Sequence, residues 1–501
     1  MGAEMSDTDE DERELQRLAS NNPAMTVPTS GVISRPELEQ VRSRGSKSKS
    51  KHNTPKTVTA SDPAGDTETL VEEPQPPPQS SSSDGQTSSS ITASPQQADP
   101  NHDQYGQVSK YDVGWRRVVR NFSPSWFSVT MGTGVVSLLL GTLPYQADWI
   151  YWLAVVFLVL NSILFTLAMV TSILRYTLYP EIWAVMIDDS TNSLFLGTVP
   201  MGFATLLEAW VVLCVPHWGY WSVTTAWVCW MIDAVVAGAV TVSLPFLLMS
   251  QSHQHSLDRI TAAQLLPIAA TIVAAGAGSK VAAILHDPSH ALGTLLTSYV
   301  LWGMSTPLAM TILVIYYQRL ALHKLPPREV VVSSFLPLGP LGMGGYAIMN
   351  MGRVARDVFP RTGFLPGLSS ANMAGDVVYV MGVFVALIMW GFGLCWLVFA
   401  LATIYLTRPF PFNMGWWGFT FPLGVYAIST MTFGEEMPSS FFKVLGTMLS
   451  VAVVLLWCVV AAGTAKGAWS GRLFYAPCLK NLKKEDQAEQ NTLDKEKLPG
   501  S

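Results

Sequence analysis

From residue 122 to residue 466 the sequence passes through ten apolar windows, each long enough to cross about 30 Å of hydrocarbon as a helix. They cover 122–142, 149–175, 192–215, 220–249, 263–285, 291–318, 331–351, 376–405, 415–433 and 440–466, and every gap between them holds charge, proline or a polar cluster. Charge is scarce in the same stretch: residues 121–472 carry 13 basic and 13 acidic side chains in 352 positions, while the other 149 positions carry 18 basic and 23 acidic. A water-soluble domain has about a quarter of its residues charged, so this stretch belongs in lipid. The predicted fold class is an all-α membrane protein of ten transmembrane helices. The formal net charge of -5 arises wholly in the flanks, which excludes the basic balance of a nucleic-acid-binding protein.

The chain divides into three parts. Residues 1–114 are rich in Ser, Pro, Gln and Thr, nearly pure from Pro74 to Ser90, and are expected to stay disordered because they bury too little apolar surface to offset backbone entropy. Within them the basic serine run Arg42 to Lys51 reads as a solvated linker, with docking on anionic lipid or phosphorylation as the sharper reading. Residues 115–475 form the membrane domain, and 476–501 a second polar tail expected to be disordered. Met1 to Glu14 is acidic and lacks an apolar core, so no cleavable signal is expected; Met1-Gly2 followed by Ser6 fits the loose myristoylation pattern. Cys214, Cys229, Cys395, Cys458 and Cys478 lack metal-ligand spacing, and no disulfide framework, zinc site or cofactor is expected.

Ten crossings put both termini on one side. Lys110, Arg116, Arg117, Arg120, Arg175, Arg259, Arg319, Lys324, Arg328, Arg408, Lys466 and Arg472 fall at helix ends on the side of the termini, whereas the opposite loops 143–148, 216–219, 286–290 and 434–439 have no Lys or Arg. The positive-inside bias makes both termini cytosolic. The loop predicted at 352–375, with Arg353, Arg356 and Arg361, departs from that pattern.

Odd-numbered windows carry proline and glycine in their first half or middle. Pro124, Pro200, Pro267, Pro337 and Pro422 are spaced by 76, 67, 70 and 85 residues, the period of one helical hairpin. Interrupted helices are tolerated in lipid only where protein or a water-filled cavity covers their freed backbone groups. Five repeated hairpins are therefore expected to close around an axis, with the five odd helices as an inner ring about a pore and the five even ones outside. The plainer reading is that these residues only permit close packing.

Three signatures carry a family likeness: Asn121 to Gly134 in the first helix, Gly197-Thr-Val-Pro-Met-Gly-Phe203 in the third and Leu338-Gly-Pro-Leu-Gly-Met-Gly-Gly345 in the seventh. With them residues 115–475 resemble the tellurite-resistance/dicarboxylate transporter family, which has the slow-anion-channel fold, and within it the fungal sulfite efflux pumps. The likeness implies a homotrimer with one pore per protomer, passing small anions, and a phenylalanine on the ninth helix that crosses the pore. In Trp416-Trp-Gly-Phe-Thr-Phe-Pro422 that residue matches Phe421, with Phe419 as competitor. Positions two apart lie on different faces, so only one points inward.

An anion leaving water needs compensation, which helix N-termini and freed backbone N–H groups supply without trapping it. The expected pore-lining and anion-binding set is Gly132, Thr133, Gly134, Gly197, Thr198, Pro200, Gly202, Pro267, Lys280, Gly339, Gly342, Gly344, Thr420 and Pro422. Hydroxyls at Ser128, Thr130, Thr133, Ser137, Thr198, Thr205 and Thr420 are possible donors, although the plain reading of each is a bond back to its own helix. Lys280 and Glu208 read either as an ion pair between neighbouring inner helices or, for Lys280, as a charge that gathers anions at the outer mouth. Asp233 reads as bonded to another helix. His253, His255, His286 and His290 read as solvated loop residues, and Glu435-Glu436 as a solvated helix end. No phosphate loop, nucleophile elbow or catalytic carboxylate pair is present in a supporting context, so no enzyme is expected. The expected activity is passive sulfite or bisulfite export across the plasma membrane, in contact with membrane lipid. The alternatives are a dicarboxylate (malate) transporter or less selective anion channel on the same fold, and a non-transporting receptor or scaffold.

Overall fold

The computed structural model describes residues 114–189, 191–250, 260–364, 371–476 and residue 479. The arm assigned to 1–114 and the tail assigned to 476–501 thus lie outside the described residues, apart from Gly114, Ala476 and Leu479; so do His253 and His255. Every element among the described residues is helical. Ten are long: α1 Phe127–Gly141, α2 Asp148–Leu178, α3 Thr198–Leu213, α4 Tyr220–Ser250, α5 Leu265–Ile284, α6 Pro288–His323, α7 Leu338–Thr362, α8 Ala371–Thr407, α9 Thr420–Glu436 and α10 Ser440–Trp469. Eight of these, taken with the short turns that lead into them, are long and apolar enough to cross a membrane.

The exceptions are α1 and α9, whose α-helical parts are 15 and 17 residues, about 22 and about 26 Å at 1.5 Å per residue. With the turns that lead into them they too are long enough, and they fall short only in apolar character. The windows predicted there included the polar entry Ser123-Pro124-Ser125 and the Trp416-Trp417 pair, which do not continue the α-helix. They form 3-10 turns instead, at Pro124–Trp126 and Met414–Phe419. The other odd helices are entered in the same way, through Ser193–Gly197, Ala262–Gln264 and Val331–Phe335.

Proline placement follows from those entries. Pro200, Pro267, Pro340 and Pro422 are each the third residue of α3, α5, α7 and α9, Pro124 opens the turn before α1, and Pro337 caps α7. The sequence reading set these prolines as breaks within the helices, whereas they start them. In the first turn a missing N–H costs nothing, because that group has no partner inside the helix.

A second difference lies at 352–375. The helix α7 runs on to Thr362, eleven residues past the predicted window, because its C-terminal end is amphipathic. Val354, Ala355, Val358 and Phe359 are buried on one side while Arg356 and Asp357 are exposed on the other. Such a stripe forms a sound helix without any apolar run.

Each odd helix packs against the even helix that follows it, and each even helix also reaches the next odd one. The odd helices touch in the cyclic order α1, α3, α5, α7, α9 and back to α1. Burial divides the two sets. Within the most apolar window of the α5 segment 94% of residues are buried, against 22% for α10. The exposed large hydrophobics of α2, α4, α8 and α10 are mostly Val, Ile, Leu, Phe and Met, with Trp and Tyr toward the helix ends, a surface suited to lipid.

Candidate functional site

The cycle of odd helices brings five helix starts to one end and five helix ends to the other. Close approach is made by glycine. A Cβ on Gly342 of α7 would stand 2.7 Å from the backbone N and Cα of Tyr426 on α9, and one on Gly197, just before α3, would stand 2.7 Å from Cα of Pro267 on α5. Gly424 of α9 faces Val135 of α1 at 2.7 Å. Gly132 faces Thr420 and Trp417, Gly134 faces Thr205 and Asn161, Gly202 faces Thr130, and Gly344 faces Met389 and Trp302. These glycines therefore let neighbouring helices approach, as small residues do in membrane bundles. Gly339 differs: it is buried, yet no atom lies within 4 Å of where its Cβ would be.

That empty space indicates which face of α7 is unfilled. At about 100° per residue, Gly339, Tyr346, Asn350 and Arg353 fall on one stripe. Its borders are taken: Gly342, about 60° to one side of Gly339, meets α9, and Met343, about 40° to the other, meets Gly276 of α5, while Gly344 and Gly345 on the far side meet α8. On α9 the corresponding stripe is Phe421, Ile428, Thr432 and Glu435. Its flanks are Thr420 and Gly424 toward α1 and Ser429 toward Gly345 of α7. The opposite side is held by α8, where the Tyr426 hydroxyl donates to the Trp390 carbonyl at 2.9 Å and the Trp390 indole donates to Thr430 Oγ1 at 2.9 Å.

The two phenylalanines part on the same grounds. Phe419 lies in the 3-10 entry and packs edge-on against Phe335 at 5.0 Å and Trp416 at 5.7 Å, with Phe410 at 6.5 Å. Phe421 is buried at 3% exposure and has no aromatic ring partner among the described residues. Its position on α9 is about 140° from Tyr426, away from α8.

Most hydroxyls that the sequence offered as donors bond their own backbone. Thr130 donates to Phe127, Thr133 to Val129, Thr205 to Gly202 and Thr420 to Trp417, all at 2.7–2.9 Å. Thr198 donates to Phe195 at 2.6 Å and to Pro124 at 3.2 Å, and Ser137 reaches Ala154 of α2 at 2.8 Å. Thr133 also accepts the Trp457 indole of α10 at 3.1 Å, so it faces outward. Ser128 is the one of the seven without a hydrogen bond among the described residues.

Charge gathers at the helix-end side. Lys280 Nζ of α5 lies 3.9 Å from Glu208 Oε2 of α3 and 5.6 Å over the Tyr346 ring of α7. Arg353 donates to Asn350 Oδ1 at 2.6 Å and pairs with Glu436 at 3.2 Å. Asn350 in turn donates to Ser279 Oγ at 2.6 Å, and the Tyr379 hydroxyl donates to Glu436 at 2.6 Å. Four helices, α5, α7, α8 and α9, are thus tied together around one arginine. Arg353, Asn350 and Tyr346 were absent from the residues expected to line the path. Their signal was a spacing of fourteen, eleven and seven residues from Gly339; Arg353 fell beyond the window that ended at 351, and the other two lay inside it unread. Asp233 of α4, expected to bond a neighbouring helix, is buried with neither carboxyl oxygen hydrogen-bonded among the described residues. His290 pairs with Asp287 at 3.1 Å and stacks on Trp227 at 4.4 Å.

Comparison with known proteins bears on this arrangement. A family model described as the voltage-dependent anion channel, SLAC1, matches residues 121–465. The sulfite efflux pump SSU1 of Arthroderma benhamiae is 48% identical over 374 residues, which cover 75% of this chain and 98% of that protein. The protein of the same name from Candida albicans is 27% identical over 359 residues, covering 68% of this chain and 72% of its own. The malic acid transport protein of Schizosaccharomyces pombe is 25% identical over 348 residues, covering 68% and 77%.

Proposed function

Because the chain belongs to the voltage-dependent anion channel family, we propose that it exports sulfite through an axis enclosed by α1, α3, α5, α7 and α9. In this reading all ten long helices cross the membrane, and α1 and α9 do so with the help of their 3-10 entries. The five hairpins stand as an inner and an outer ring, both termini are cytosolic, and three copies assemble in the plasma membrane with one path each. The observation that carries the transport reading is the closed cycle of contacts among the odd helices. Sulfite as cargo is supported by near end-to-end likeness to sulfite efflux pumps at 48% identity. The more distant malate carrier supports a dicarboxylate as the second reading.

Anions enter where the odd helices start, where unpaired N–H groups and the positive ends of helix dipoles offset lost hydration. They pass Ser128 and Gly339 and meet Phe421, whose ring closes the axis and opens it by turning aside. The other expected lining residues shape the path through the close approaches they permit. Beyond the ring, Lys280 and Arg353 hold positive charge beside the carboxylates of Glu208 and Glu436, so the anion is attracted but not trapped. An inside-negative potential drives anions out by about 2.3 kcal/mol per charge per 100 mV without ATP.

Purified protein in vesicles tests both cargo and gate. Sulfite flux should exceed malate, nitrate and chloride flux in parallel assays with and without a pH gradient. Malate ahead of sulfite would favour the second reading, and no flux of any anion would leave only a non-transporting role. Phe421→Ala should raise anion flux severalfold while Phe419→Ala does not; equal responses would remove Phe421 as the gate.

A further inference from the structure

Between α1, α2 and α10 a cavity of about 570 Å³ opens toward the lipid side of the molecule. Leu164 and Leu167 of α2 and Ala461 and Ala465 of α10 form its walls, and its end is closed by Trp126 stacked on Phe474 at 4.9 Å. The threonine hydroxyls and two of the three indoles around it are already hydrogen-bonded. Thr133 accepts from the Trp457 indole, and Thr464 accepts from the Trp417 indole at 3.1 Å. The cavity therefore asks for an apolar occupant.

Its position says more. It lies where α1 begins and where α2 and α10 finish, and four exposed cations stand at that end. Arg116 and Arg117 belong to the short helix Trp115–Arg120, which also supplies the lining residue Val118. Lys466 falls between the lining residues Ala465 and Ala468, and Arg472 stands two residues before Phe474. All four are exposed, and none takes part in an ion pair among the described residues. The segments 114–133, 157–178 and 457–476 contain no Asp or Glu. An apolar slot rimmed by unpaired positive charge matches a molecule with a hydrocarbon tail and an anionic head.

We propose that this cavity is a binding site for an anionic phospholipid, with an acyl chain between α2 and α10 and the headgroup on Arg116, Arg117, Lys466 and Arg472. Its assignment to the inner leaflet rests on the membrane orientation given above; the chemistry of the site does not. Each Lys or Arg at a membrane surface adds measurably to the attraction for acidic lipid, and salt weakens it.

Native mass spectrometry of the full chain in detergent, with added phosphatidylserine, phosphatidylcholine or ergosterol, tests the site. Phosphatidylserine should be retained in preference to phosphatidylcholine, and its binding should weaken as ionic strength rises. A variant with all four cations changed to Gln should bind it at least about tenfold more weakly. Ala465→Trp should exclude it with the charges intact, and if that protein fails to fold the charge variant decides. Equal retention of both phospholipids, retention of phosphatidylserine in the charge variant, or ergosterol as the preferred occupant would overturn the proposal. So would a change of oligomeric mass in Ala465→Trp, which would mean that a second copy fills the cavity. Sulfite flux is a separate readout: a protein that binds phosphatidylserine but moves no sulfite loses the proposed function and keeps the lipid site.

Discussion

At the level of single residues, the Lys280–Glu208 pair is the interaction whose energetics are best defined. Both side chains are withdrawn from solvent, at 11% and 1% exposure, and neither oxygen of Glu208 has a hydrogen bond among the described residues. Removing one partner from such a pair leaves a charge uncompensated in a poorly solvated place and costs about 3 kcal/mol or more, whereas removing both costs far less. Lys280→Gln should therefore lower the melting temperature in detergent more than the double variant Lys280→Gln/Glu208→Gln. A double variant that melts below the single one would show that the pair is not coupled. The sequence made these two residues conspicuous because charge within an apolar window is rare. It gave no means of deciding between pairing and anion gathering, since helix direction and crossing point are tertiary facts. Phe421 and Phe419 were ambiguous for the same reason. Which of them faces the axis depends on where the 3-10 entry ends and the α-helix begins, one peptide before Thr420.

Among the elements, α7 carries the sharpest contrast between two glycines three residues apart. Gly342 is pressed against the backbone of α9 at 2.7 Å, and backbone cannot turn aside. Gly339 meets nothing within 4 Å. Gly342→Ala should thus destabilise the protein by about 1–3 kcal/mol through forced separation of α7 and α9. Gly339→Ala should be neutral or stabilising by up to about 1 kcal/mol, because alanine is the better helix former. Melting in detergent with surface expression as a second measure checks both, and the same loss at both positions would refute the packing assignment. The ten windows anticipated the long helices well, since length and hydropathy are local properties. The last eleven residues of α7 were missed because they are held by one buried stripe, with Arg356 and Asp357 facing out. The periodic prolines marked the right places but were assigned the wrong consequence. Pro200, Pro267, Pro340 and Pro422 initiate helices, which only the position of the preceding 3-10 turn reveals.

For the molecule as a whole, the contact between α9 and α1 is the one that completes the cycle, and it joins segments about 290 residues apart in sequence. A Cβ at Gly424 would stand 3.4 Å from the Cβ of Val135, close to the separation found in disulfides. The variant Val135→Cys/Gly424→Cys, with the native cysteines replaced, should therefore cross-link on mild oxidation. Fragments cut by protease between α1 and α9 should then stay joined until reduced. Absence of the cross-link in protein that still transports would mean that the helices do not meet in this order. The cycle also sets when the structure can come into being. The nascent chain delivers α1 long before α9, so α1 can pack on α2 and α3 but lacks its remaining partner in the cycle until α9 has left the ribosome. The cycle cannot close before both have been made, so on the reading proposed above a half-synthesised chain holds no sealed path through which the cell could leak.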